Sequence, residues 1–271
     1  MEDSVPCLRL ENVSRHFGGL TAVDKINLTI RPGERRAVIG PNGAGKTTLF
    51  NLISGELLAT EGRITLFGAD ITGLPPHQRA ARGIARTFQI TKLFPNLTVL
   101  ENMLLASEAL DRRKFTMHRL LSSCADLSEK AANLLGECGL WPLRAERARN
   151  LSYGDQRKLE VALSLAGQPR LLLLDEPMAG LSSGESDSMQ TILRKQDRSI
   201  AVLLIEHDMD VAFAFAEQVT VLHQGRVLTE GHRDEISANR SVQEIYLGVD
   251  AGGSPLGPAG GKHETLGGPV C

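Results

Sequence analysis

Residues 40–48 read GPNGAGKTT. From Gly40 to Thr47 the stretch follows the spacing G-x-x-x-x-G-K-[ST]. It stands between RRAVIG at 35–40, a short apolar run ending in glycine, and a helix expected from about Lys46 to Ser54. Gly43 and Gly45 let the backbone curl, so that successive amides converge on phosphate oxygens. The helix opening at Lys46 adds its N-terminal partial positive charge. In such a cradle the Lys46 ammonium reaches the β- and γ-phosphates and the Thr47 hydroxyl binds Mg²⁺. Asn42, Ala44 and Thr48 complete the phosphate-binding set. Out of this register, the same residues would be an ordinary glycine-rich turn from strand to helix.

A phosphate loop of this kind needs a second magnesium ligand at the end of a neighbouring buried strand. Asp175 closes LLLLD at 171–175, a fully apolar run expected to be buried on both faces. Glu176 follows at once. The pair suits a division of labour: Asp175 holds the metal through a water, and Glu176 takes a proton from the attacking water. Alone, Asp175-Glu176-Pro177 would equally read as a strand-ending turn stopped by proline. AVLLIEHD at 201–208 is a second apolar run with a polar end. Parallel strands deliver such ends to one edge, where ligands bind. There His207 can donate to the γ-phosphate, although a lone histidine is more often structural. Gln89, closing RTFQ, can touch both metal and water, and by itself it is an undistinguished glutamine. The catalytic candidates are therefore Glu176, His207 and Gln89, and the metal candidates Thr47, Gln89 and Asp175.

The rest of the chain sets these motifs in an α/β frame with a mostly parallel sheet. INLTI at 26–30 and GRITLFG at 62–68 read as strands of an N-terminal β part, and 76–82 as a short helix opened by Pro76. IARTFQ at 84–89 is expected to be extended. No strand signal appears from about 98 to 140, which predicts a helical insertion at roughly 90–150, within a helical subdomain reaching about 165. QVTVLHQGRVLTEG at 218–231 reads as a hairpin turning near Gln224-Gly225. One domain is expected over 1–250, followed by a Gly/Pro-rich disordered tail at 251–271. The chain has 271 residues, 42% of them hydrophobic, and a formal net charge of −2, which gives no electrostatic footprint for nucleic acid. No apolar run approaches the roughly eighteen residues of a membrane span. The first residues lack a signal-peptide pattern. Cys7, Cys124, Cys138 and Cys271 are too far apart for a CxxC pair, which argues against zinc or redox chemistry and fits a reducing cytosol.

LSYGDQRKLEVALSLAG at 151–167 begins oddly for a buried helix. Leu159, Val161, Ala162, Leu165 and Ala166 recur at helical spacing and are expected to bury one face. Ser152, Gly154 and Asp155 stand just ahead, and the simple explanation is an N-terminal cap. In order, though, the phosphate loop, Gln89, LSYGDQ, LLLLDEP and His207 resemble the ATP-binding subunit of an ABC transporter over roughly residues 8–248. That resemblance implies more than a cap. Ser152 and Gly154 would face the γ-phosphate bound to a second ATPase subunit in a head-to-tail dimer, homo- or heteromeric. Phe17 would stack on adenine, where the family more often has Tyr, although Phe17 could equally be core. ATP and Mg²⁺ would be the ligands. The partners would be transmembrane permease subunits and, indirectly, an external solute-binding protein, with no nucleic acid. The location would be the cytoplasmic face of the inner membrane. The finer resemblance, in RHFGGLTAVD, GIARTFQ, LLIEHDM and IYLG, is to ATPases of branched-chain amino acid import. Urea uptake and lipopolysaccharide export systems share parts of it. The sequence departs from the family at Asp155, where Gln is usual, and at Ser182, where the family has Asp. TKLFPNLTVLENM at 91–103 offers Leu93 and Phe94 as exposed apolar residues for docking, unless both are core. A P-loop kinase would leave LSYGDQ unexplained. A non-transport ABC module would commonly carry two cassettes or a longer insertion.

Overall fold

The computed structural model describes residues 5–87, 93–110 and 122–247. Gln89 and the 251–271 tail, for which ligand contacts and disorder were expected, lie outside the described residues. An antiparallel sheet is formed by β1 (Leu8–Phe17), β2 (Leu20–Ile30), β4 (Glu61–Leu66) and β5 (Ala69–Asp70), in the order β2-β1-β4-β5. The second sheet runs β10 (Arg226–His232), β9 (Gln218–His223), β3 (Arg35–Ile39), β8 (Ala201–Ile205), β7 (Leu171–Asp175), β6 (Ile84–Arg86). Its pairings are parallel from β9 through β6, and only β10 runs antiparallel, closing the hairpin expected at Gln224-Gly225. Both turn residues have positive φ, 49° and 79°, as a tight two-residue hairpin turn requires.

The uninterrupted apolar runs have a direct cause. On β7, Leu171 and Leu173 enter a core shared with β1, β2, β4 and α1 (Lys46–Ser54), while Leu172 and Leu174 enter a second core on the opposite face. On β8, Ala201, Leu203 and Ile205 divide from Val202 and Leu204 in the same way. With side chains alternating across the strand, burial on both faces demands an apolar residue at every position. Each fully buried leucine contributes about 1.5–3 kcal/mol. The second core is closed by α6 (Ser183–Lys195), α7 (Met209–Phe215), α8 (Arg233–Ser237) and α9 (Arg240–Leu247), through Met189, Phe215, Ile236 and Val242.

A third core lies among α3 (Val99–Leu110), α4 (Ser122–Glu137) and α5 (Tyr153–Leu165), as expected of the helical insertion. The helix α5 belongs to two cores rather than burying one face. Leu159 and Ala162 pack into the third core, and Val161 and Leu165 into the second. It therefore joins the helical part to the parallel sheet.

The far end of α1 is fixed by a residue with no obvious signal in the sequence. Arg79, in α2 (Pro76–Ala80), is fully buried. Its guanidinium donates to the carbonyls of Leu52 and Ile53 at the end of α1, and to those of Thr72 and Leu74. Carbonyls left over at a helix C-terminus carry partial negative charge, so a buried cation is tolerated there. Burial still lowers its pKa to about 10.

Candidate functional site

The phosphate loop, Asp175, Glu176 and His207 gather at the carboxyl edge of the parallel sheet, whereas Phe17 ends β1 of the antiparallel sheet and Ser152 and Gly154 lie at the start of α5. The phosphate loop follows β3, Asp175 ends β7, and Glu206 and His207 follow β8. A cleft of about 470 Å³ beside them is lined by Met178, Ala179, Gly180, Glu206 and His207 among others. The larger cleft, about 960 Å³, lies near Pro32, Arg170 and Ile200, at the opposite ends of β3, β7 and β8, and holds no candidate residue. Ligands of open α/β sheets bind at the carboxyl edge, the edge that carries the smaller cleft, and of the candidate residues His207 lines that cleft.

The phosphate loop is braced from two directions. The Ala44 carbonyl accepts from the Gly225 amide at 3.0 Å, and Gly225 in turn accepts from Asp24 at 2.8 Å. Gly45 has φ 99°, and a Cβ there would come within 2.6 Å of the Ala22 carbonyl. Only glycine allows that conformation and that approach. The tip of the β9–β10 hairpin and the start of β2 thus hold the loop in its curl.

Lys46 is nearly buried, and its ammonium donates to the carbonyls of Gly40 at 2.6 Å and Pro41 at 3.0 Å. Burial lowers its pKa, and the nearby charges of Glu176 and Asp175 oppose that shift. A desolvated cation held over the loop by carbonyls suits the negative charge of a triphosphate. Asn42, Gly43 and Thr47 are exposed on the loop, and Thr48 is half-buried. The first amides of α1 have no earlier turn to bond to, which leaves them for an anion. Buried cation, helix N-terminus and hydroxyl together fit a magnesium-bound nucleotide.

Asp175 is 2% exposed, and burial raises its pKa. Arg86 opposes that shift with an ion pair at 3.0 Å to Oδ2. The Arg86 guanidinium also donates to Asn51 Oδ1 at 2.6 Å and Ser54 Oγ at 3.0 Å, tying β6, β7 and α1 together around the carboxylate. Glu176 is half-buried and takes φ 48°. Its amide donates to Ile205 O at 3.0 Å, and its carbonyl accepts from Ala179 N at 3.1 Å. A non-glycine residue in the left-handed region is strained, and these bonds maintain it. The strain turns Glu176 out of the strand direction, so neighbouring Asp175 and Glu176 need not serve the same point.

His207 is exposed, and its Nδ1 stands 3.9 Å from Glu206 Oε2. Glu206 is 1% exposed and accepts the Met178 amide at 3.3 Å. Burial pushes its pKa up to about 7, against that hydrogen bond and with the charge of Glu176 adding to the rise. Arg86 and Glu206 both escaped the sequence reading. A lone charge in the extended run IARTFQ was the available sign for Arg86, and the polar end of AVLLI for Glu206.

The start of α5 is a true cap. Ser152 Oγ accepts from the Asp155 amide at 3.1 Å and lies 2.8 Å from Asp155 Oδ2. Asp155, the departure noted in the sequence, thus engages Ser152 directly. Gly154 is buried, and a Cβ there would run into the Glu185 carboxylate. Ser182, the other departure, precedes α6, and both its amide (2.9 Å) and its hydroxyl (2.7 Å) donate to Glu185 Oε2.

Phe17 is 42% exposed, which removes the core alternative. The Arg15 guanidinium lies 4.6 Å from its ring centroid. Leu93 is half-buried against the third core, so it is not the exposed residue anticipated, whereas Phe94 is 56% exposed. The difference comes from Asn102, nearly buried, which accepts the Phe94 amide and donates to the carbonyls of Phe94, Leu97 and Thr98. It pins the loop with the Phe94 ring outward. Among the described residues no helix is long and apolar enough to cross a membrane. Cys7 and Cys138 are buried, and burial pushes both thiols up to about 12, which keeps them protonated and unreactive.

The model of the ABC transporter family matches residues 23–179. The chain is 38% identical over 252 residues to the high-affinity branched-chain amino acid transport ATP-binding protein BraF of Pseudomonas aeruginosa, covering 90% of this chain and 99% of that protein. It is 39% identical over 253 residues to the corresponding LivG of Salmonella typhimurium, with 90% and 99% coverage. The solved structure of MJ1267, an ATP-binding cassette of an ABC transporter, superposes with a TM-score of 0.80 at 30% identity, covering 90% of this chain and 99% of that one. A dimeric post-hydrolysis structure of the cassette MJ0796 bound to ADP and Pi matches with a TM-score of 0.71 at 28% identity, covering 83% and 98%. Full-length similarity and a phosphate loop, Asp175 and Glu176 on one sheet edge lead to the same conclusion: the chain belongs to the ABC transporter family, as one of its ATP-binding, ATP-hydrolysing cassettes.

Proposed function

We propose that this ATPase powers the import of branched-chain amino acids through separate permease subunits, as one of two cassettes that close head to tail over ATP. The observation that carries the reading is the near-complete coverage, at 38–39% identity, of branched-chain amino acid transport ATP-binding proteins. Residues 1–250 form the ATPase unit, with the helical subdomain over about 90–165 as its permease-facing part. It acts at the cytoplasmic face of the inner membrane, and the solute-binding protein is reached only through the permeases.

The roles follow from charge and geometry. Lys46 and the amides from Asn42 to Thr48 neutralise the terminal phosphates. A bound magnesium ion would supply positive charge against the negative charge that develops on the phosphates. Thr47, Asp175 and Gln89 would hold it, with Asp175 oriented by Arg86. Glu176 accepts the proton of the attacking water, and His207 donates to the γ-phosphate. Phe17 stacks on adenine. Ser152 and Gly154 complete the site of the partner cassette, where the start of α5 meets its γ-phosphate. Phe94, held outward by Asn102, enters a groove of the permease.

The test is reconstitution. Purified chain, its permeases and its binding protein in vesicles should take up labelled leucine only with ATP on the cassette side. Phe94→Asp should release the cassette from the permeases during co-purification while leaving its ATP binding unchanged. Uptake of urea but not leucine would overturn the substrate assignment, and unaltered co-purification of Phe94→Asp would overturn the docking assignment.

A further inference from the structure

The turn that carries Glu176 is tied to the helix that carries Ser152. The Glu176 carbonyl accepts the Ala179 amide at 3.1 Å. The carbonyl of that same Ala179 accepts the Tyr153 hydroxyl at 3.2 Å. Tyr153 Oη accepts in turn from Arg157 Nε at 3.0 Å, and Arg157 forms an ion pair with Glu160 at 3.0 Å, both side chains being nearly buried. The Arg157 guanidinium lies 5.3 Å from the Tyr153 ring centroid. The ring touches the turn as well, since a Cβ on Gly180 would meet Tyr153 Cε1 at 3.2 Å. Tyr153 is 46% exposed, so burial of its ring does not explain a tyrosine here. What fixes the side chain is its hydroxyl, which donates to one element and accepts within the other.

We propose that Tyr153 is a positioning residue for ATP hydrolysis, joining the Ser152–Gly154 helix start to the Glu176 turn of the same chain through Ala179. This rests on the reading above, in which Ser152 and Gly154 meet the partner's nucleotide while Glu176 serves the chain's own. The two ends of the strut then belong to two different ATP sites. Engagement of the helix start by the partner's nucleotide bears on Ala179, and through one further hydrogen bond on the strained backbone of Glu176. An ATP bound at one site thereby influences the carboxylate working at the other.

Tyr153→Phe tests this, because it deletes the hydroxyl and keeps the ring. In the full-length chain, kcat for ATP should fall about fivefold, the worth of one hydrogen bond, with KM within about twofold. The melting temperature should stay within about 2 °C, since a half-exposed group is removed. In a Glu176→Gln background, Tyr153→Phe should leave the Mg-ATP-dependent dimer intact on gel filtration. Unchanged kcat in Tyr153→Phe, beside an active wild type, would overturn the strut alone. Loss of the ATP-dependent dimer would overturn it too, by making Tyr153 part of the surface that grips the partner. A wild-type chain with no ATPase activity, either alone or with a paralogous partner cassette, would overturn the parent reading and this one with it.

Discussion

Glu176→Gln will bind ATP as the wild type does and hydrolyse it about 10²–10⁴-fold more slowly. The substitution keeps the size of the side chain and its hydrogen-bonding reach, and removes only the basic carboxylate. The hydrogen bonds through the Glu176 backbone amide and carbonyl, which maintain φ 48° there, are left in place. Asp175 and its ion pair with Arg86 are likewise undisturbed. Binding and chemistry should therefore separate. In the proposed two-cassette site, ATP that cannot be cleaved should stay between Lys46 of one cassette and Ser152 of the other, and its binding energy should hold the pair closed. Phosphate release measures the first effect. Gel filtration with and without Mg-ATP measures the second, for the chain alone or with a paralogous partner cassette. A variant hydrolysing at the wild-type rate would remove Glu176 from the reaction.

Lys46→Ala should act at the opposite step. Loss of a charge-assisted contact to the terminal phosphates should weaken ATP binding by about a hundredfold or more. The fold should tolerate the change. Lys46 is a desolvated cation whose pKa is lowered by burial, and its hydrogen-bond partners are the loop carbonyls of Gly40 and Pro41. Removing it relieves a buried charge as well as losing those bonds, so the melting temperature without nucleotide should move little. Titration calorimetry with ATP reads the affinity, and a thermal melt reads the fold. Unchanged affinity would withdraw residues 40–48 from phosphate binding.

What could be read in the sequence was local. The helix from Lys46 to Ser54 follows from a motif whose spacing is itself the structure, and the buried strands follow from LLLLD and AVLLI, because burial on both faces leaves no room for polar residues. The cap at Ser152 was visible because its partner lies three residues away. The contacts that aim these groups join residues far apart in sequence. Arg86 meets Asp175 across 89 positions, Met178 meets Glu206 across 28, and Tyr153 meets Ala179 across 26. Each depends on which elements lie side by side in the fold, and no periodicity encodes that. Leu93 and Phe94 looked equivalent for the same reason. The side chain of Asn102, which separates them, joins the loop only once α3 has formed.

Ser152→Arg tests the proposal that each ATP is cleaved in a site made by two cassettes. Ser152 is exposed and caps α5, so a large cation there leaves the chain's own phosphate loop untouched while obstructing the approach to a partner's nucleotide. ATP affinity and phosphate release should be measured on the purified variant, in the same assembly as the wild type. Wild-type ATP affinity is expected, with hydrolysis reduced about a hundredfold or more. Hydrolysis at the wild-type rate would contradict the proposal, because the site would then be complete within a single chain.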